Sequence, residues 1–159
     1  MNIKKNINTS QTSEKFRYLA EEIVAFLADS LQKIDVLDKE VFEKNQALLN
    51  PKEPNLIQPG ELELQAKYRE TRKIITDAIC SKPQGDFGFL PGKPSRYDYL
   101  NNPNIIFDFI MKSANRAIVE IEYDYFTLRK DQFVIKKIRD DWKIDSKKLL
   151  LGKVYKEEI

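Results

Sequence analysis

The sequence predicts an α+β fold, with N-terminal helices packed on an antiparallel sheet. Three observations predict it. Apolar residues recur at three- and four-residue steps from Phe16 to Ile34. From Ile105 onward the apolar spacing changes to two. The alternating segments are joined by short polar stretches, which suits a meander rather than parallel crossovers. A sheet with one apolar face needs a cover, and the leading helices are available to supply it.

Each element follows in order. Residues 1–12 are polar and read as a flexible lead-in; residues 13–159 read as one domain, long enough to bury a core. Ser13 is placed to cap a first helix. Its apolar stripe is Phe16, Leu19, Ile23, Leu27, Leu31 and Ile34, with Arg17, Glu21, Glu22, Asp29 and Lys33 opposite. Asp38 is placed to cap a second, shorter helix carrying Val41, Phe42, Leu48 and Leu49, which Asn50-Pro51 would end. Residues 50–60 hold three prolines and a glycine and read as a loop. A third helix is expected from about Glu61 to Cys80, buried through Leu64, Tyr68, Ile75, Ala78 and Ile79.

After Pro103 four strands are expected. Residues 105–111 put Ile105, Phe107, Phe109 and Met111 on one side. Residues 116–127 put Ala117, Val119, Ile121, Tyr123 and Tyr125 on one face and Glu120, Glu122 and Asp124 on the other. Residues 132–139 and 142–146 follow, with Asp140-Asp141 as the tight turn between them. Trp142 is expected in the core with Phe133 and Ile135. The segment from Leu149 to the end either extends the sheet or packs on a second copy of the chain as a homodimer.

Composition excludes much chemistry. Lys and Arg number 27 against 25 Asp and Glu, a net charge of +2, so neither a nucleic-acid partner nor a membrane surface is indicated. There is no histidine, which removes Ser-His-Asp and Cys-His pairs and His-based zinc sites. The single cysteine, Cys80, cannot form an intrachain disulfide and reads as a small buried residue. No signal peptide or membrane span is legible, so a cytoplasmic location is expected. No cofactor or metal is expected. Asp86-Phe87-Gly88 spells a kinase triplet without the rest of that signature, and Gly92-Lys93 lacks the glycine and hydroxyl residue of a phosphate loop.

The stretch 86–103 holds two of the five glycines, three of the seven prolines and four aromatic rings. Two readings stand. As a connector it plugs the open end of the fold with Phe87, Phe89, Tyr97 and Tyr99. As a binding loop it presents Phe89, Arg96, Tyr97 and Tyr99, residue types favoured as interface anchors.

The order of three segments carries a resemblance: RYDYLNNPNIIFDFI (96–110), NRAIVEIEY (115–123) and FVIKKIRDDWKIDSKK (133–148). It resembles the nuclear transport factor 2-like fold, in which a curved antiparallel sheet wraps N-terminal helices into a cone. Within that fold it is similar to the immunity proteins of bacterial polymorphic toxin systems. The resemblance implies a non-enzymatic protein that binds and neutralises a cognate protein toxin. Carboxylates Glu120, Glu122 and Asp124 would then complement a basic toxin surface; alternatively they pair across strands with Lys136, Lys137 or Arg139, or ligate a hard cation. Other members of the fold are isomerases and dehydratases with a pocket aspartate as base. Asp108, flanked by Phe107, Phe109 and Ile110, is the candidate for that role, with Tyr123 as its donor.

Overall fold

No glycine or proline interrupts the chain between Ala20 and Leu48, and a single helix, α1 (Ala20–Leu48), occupies all of it. The computed structural model describes residues 5–85, 90–91 and 95–159. Two helices were expected over this stretch, divided at Asp38. Leu37, Lys39, Glu40, Lys44 and Gln46 are good helix formers, and nothing in the sequence terminates the backbone between them. Ion pairs one turn apart join Asp35 to Lys39 at 3.1 Å and Glu40 to Lys44 at 2.7 Å. Asp38 is therefore not a cap. It is buried in the helix, and its carboxylate accepts a 2.7 Å hydrogen bond from the Tyr68 hydroxyl. Ser13 also fails as a cap: it precedes a 3₁₀ segment, Glu14–Leu19, and makes no side-chain capping bond.

Helix α2 (Glu61–Ile79) packs against α1. Tyr68 and Ile79 are buried as expected, but Ala78 is exposed, and Arg72 and Thr76 take interior places instead. The helices thus number two among the described residues, not three.

Among the described residues the sheet has six strands in sequential order rather than four. They are β1 (Asn6–Asn8), β2 (Ile106–Ser113), β3 (Arg116–Tyr125), β4 (Thr127–Ile138), β5 (Asp141–Leu151) and β6 (Lys153–Glu157). All neighbours are antiparallel except β1, which pairs parallel to β2. Residues 6–8 of the lead-in thus pair in the sheet. Thr12 fixes the lead-in: its buried hydroxyl donates to the Phe109 carbonyl at 2.6 Å and accepts the Met111 N–H at 3.1 Å. One side chain there replaces the backbone partners that a longer β1 would have offered.

The inner face of the sheet follows the two-residue pattern. Phe107, Phe109, Met111, Val119, Ile121 and Phe133 are buried against the α1 stripe of Ile23, Val24, Leu27, Leu31 and Ile34. Trp142 joins this core beside Ile135 and Ile144. Fully burying a side chain of this size stabilises by about 1.5–3 kcal/mol, so the shared core dominates the folding free energy.

Two details depart from the expected register. The β4–β5 turn has Arg139 and Asp140 at its centre, both with positive φ (50° and 68°), so it lies one residue earlier than Asp140-Asp141. Mirror-image turns of this kind suit the twist of a hairpin. In β5 a bulge at Asp145 shifts the phase: Ile135 pairs with Ile144, but Val134 pairs with Ser146. Beyond it Lys147, not Ser146, points inward. The Leu149–Leu151 segment extends the sheet, turning at Gly152 (φ 66°) into β6. Among the described residues no helix is long and apolar enough to cross a membrane.

Candidate functional site

β3 and β4 project past the start of β2, because β2 begins only at Ile106 while β3 continues to Tyr125. Between this projecting hairpin and the connector at residues 95–106 lies an open groove of about 1120 Å³. Arg96, Tyr99, Asp108, Glu122, Tyr123 and Asp124, all expected as site residues, line it together.

The floor of the groove is aromatic. Tyr99 stacks on Tyr123, with ring centroids 4.5 Å apart and planes 23° from parallel. Beneath them Tyr97 is fully buried, edge-on to Tyr99 at 6.2 Å and tilted against Phe133 at 6.3 Å. Tyr97 is therefore a core residue, and it is not available as a partner anchor. Its burial, with the half-burial of Tyr99, fits the plug reading of the connector. Phe87 and Phe89 lie outside the described residues.

Below the tyrosines lies a buried polar cluster. Both oxygens of the Asp131 carboxylate accept hydrogen bonds, from the Tyr99 hydroxyl at 2.9 Å and the Tyr123 hydroxyl at 3.1 Å. The Lys147 ammonium is 3.7 Å from Asp131 and 2.8 Å from Glu157, and it sits 5.1 Å from the centre of the Tyr97 ring. Burial pushes the Asp131 carboxyl above its ordinary value, while Lys147 and the two tyrosine hydroxyls pull it back. Burial opposes the charge on Lys147, but Tyr97, Asp131 and Glu157 outweigh it and raise that group. Burial, then the charge on Asp131, raises both Tyr99 and Tyr123, so both remain protonated donors at neutral pH.

Asp131 and Lys147 were not singled out from the sequence. Asp131 is in phase with Phe133 and Ile135, two and four residues before them, which was a legible signal. Lys147 had none, because the bulge alone turns it inward.

The carboxylate expected inside the fold, Asp108, lies on the outer face of β2. It is opposite Glu120 and accepts from the Asn8 amide at 2.9 Å. Glu120 accepts from Gln132 at 2.9 Å, and Glu122 lies 4.0 Å from Lys130. Neither pairs with Lys136, which bonds Asp145 at 3.1 Å. Among the described residues no three acidic or cysteine side chains converge as a metal site. Cys80 is buried in a bridge to Ile144, and burial pushes its thiol up to about 12.

The hairpin tip is the most exposed apolar feature of the site. Phe126 is 96% exposed and has φ 62°, a conformation that bulky residues avoid. Tyr125 packs edge-on to it at 4.8 Å, and the Arg129 guanidinium covers the Tyr125 ring at 4.9 Å.

No family model, curated protein or solved structure matches this chain.

Proposed function

We propose that this chain is a non-enzymatic binding protein of the nuclear transport factor 2-like fold, its sheet curved about α1, that neutralises a cognate bacterial toxin by covering it. The observation that carries this reading is the groove with its aromatic tip. Acidic side chains line an open channel, and Phe126 stands almost wholly in water beside it. A large ring held out in a strained conformation costs stability without returning burial within the fold, and such rings serve as interface anchors.

The alternative, a small-molecule-binding protein or an isomerase- or dehydratase-like enzyme using the cone interior, draws support from the Asp131 carboxyl with its raised value and two tyrosine neighbours. It fits the geometry less well. Asp131 is fully buried, and both of its oxygens already have donors. Two donors leave lone pairs on the carboxylate, but a base must also reach its substrate, and a fully buried Asp131 does not.

The test is co-expression with the product of the adjacent gene, reading growth. The unaltered chain rescues growth. Tyr125→Ala with Phe126→Ala abolishes rescue while the circular dichroism spectrum and melting point are kept, and Asp108→Asn leaves rescue intact. Rescue that survives the double substitution would refute the assignment of the tip.

A further inference from the structure

We infer that the groove accepts an extended polypeptide segment in which lysine or arginine alternates with apolar residues, added as a strand along Tyr123–Tyr125 of β3. This deepens the reading above and rests on it in taking the partner for a protein.

The backbone supplies the first argument. The Phe107–Ile121 pairing puts Ile106, the first residue of β2, across from Glu122. Upstream of Ile106 the chain turns away: the Asn104 N–H bonds the Asn102 side chain at 2.9 Å, and the Ile105 N–H bonds the Asn102 carbonyl at 3.3 Å. Tyr123, Asp124 and Tyr125 remain paired to Arg129, Leu128 and Thr127 of β4 on one side. On the other side no strand among the described residues lies beside them. Alternate residues of an antiparallel strand direct N–H and C=O groups to the same side, so this stretch is a sheet edge ready for strand addition. The groove runs along it and is open to solvent.

Side chains set the chemistry of the occupant. Tyr123 and Tyr125 face the aromatic floor, while Glu122 and Asp124 point to the opposite face, where Asp108 stands on β2. Asp124 is exposed and has no hydrogen bond or ion pair to a described residue. Among the described residues Glu122 has only the long contact to Lys130. An added strand presents successive side chains to opposite faces. Apolar residues would then cover the tyrosines, and basic residues would meet the carboxylates. Arg96, Arg129 and Asp98 lie along the groove as well, and Asp98 is bonded to Lys39 at 2.9 Å. The face carrying Asp108, Glu122 and Asp124 is therefore the acidic one.

The probe is a fluorescein-labelled peptide of alternating lysine and valine, titrated into the full chain by fluorescence anisotropy at low and high salt. Two companion peptides carry glutamate for lysine, or N-methyl groups on alternate backbone nitrogens. The lysine peptide binds, weakens with salt, and exceeds the glutamate peptide by about tenfold or more. N-methylation weakens binding by about tenfold, because it blocks the strand bonds and keeps the charge. Glu122→Lys with Asp124→Lys, both exposed positions, loses binding with an unchanged melting point. Equal binding of the three peptides, no binding, or indifference to the double reversal overturns the inference. Growth rescue without peptide binding overturns strand addition and leaves neutralisation standing; peptide binding without rescue does the reverse.

Discussion

Lys147→Met tests the buried cluster beneath the groove. The Lys147 side chain is 2% exposed and that of Asp131 0%, at a separation of 3.7 Å. Removing the cation leaves a buried carboxylate with two tyrosine donors and no counter-charge. Breaking one side of a buried ion pair costs about 3–5 kcal/mol. Asp131 has an escape, which is to take up a proton. From an ordinary aspartate value near 3.9 that costs about 4 kcal/mol at pH 7 and about 1.5 kcal/mol at pH 5, at 1.36 kcal/mol per unit. The expected loss at pH 7 is therefore about 3–4 kcal/mol, or roughly 10 °C in melting point for a domain of this size. In the variant the folded Asp131 value lies above its unfolded value, so the native state binds the proton more tightly. Stability is regained as pH falls through the folded value, and the deficit narrows from pH 7 to pH 5. The assay is urea unfolding of parent and variant at pH 5, 6 and 7, followed by circular dichroism. Adding Asp131→Asn to Lys147→Met removes the stranded charge and recovers most of the loss. A deficit below about 1 kcal/mol at pH 7, or one that does not change with pH, would refute the reasoning.

Tyr68→Phe removes the donor to the buried Asp38 carboxylate, which burial already holds above its ordinary value. It lowers the urea midpoint by the equivalent of about 1–3 kcal/mol with no change in slope. Arg139→Asn with Asp140→Gly replaces two residues at φ 50° and 68° with the pair such a turn favours, and raises stability by about 1 kcal/mol in the same assay. Cys80, buried and with its thiol pushed up to about 12, resists iodoacetamide at pH 8 in the native state and reacts once urea unfolds the chain. Prompt labelling of the folded protein, followed by mass spectrometry, would contradict its burial.

Particular residues show how far the sequence could be read. The inner faces of β2 and β3 were legible because strand pleating is strictly two-residue: Phe107, Phe109 and Met111, then Ala117, Val119 and Ile121, are all buried. Asp38 was misread because capping is a backbone state, and an aspartate type alone does not report it. Tyr68, thirty residues away, claims its carboxylate. β1 left no pattern, since Asn6, Ile7 and Asn8 are too few residues to show a two-residue alternation. Within the site, the alternation that exposed Glu122 and Asp124 was readable. That Tyr97 is sealed and Tyr99 lines the groove was not, because the two rings have the same chemistry and differ only in what packs over them.

The sequence by itself determined the order of helices then strands and the apolar side of each strand, because those depend on local periodicity. Only the tertiary structure decided which polar groups went inside. Asp131 and Lys147 sit on different strands, and each is tolerated in the interior because the other, together with Glu157 and the Tyr99 and Tyr123 hydroxyls, partners it. The bulge at Asp145 that joins them changes the phase of β5 without changing its composition. The groove arises in the same way, from β3 outrunning β2, a mismatch of lengths that exists only once the strands are paired.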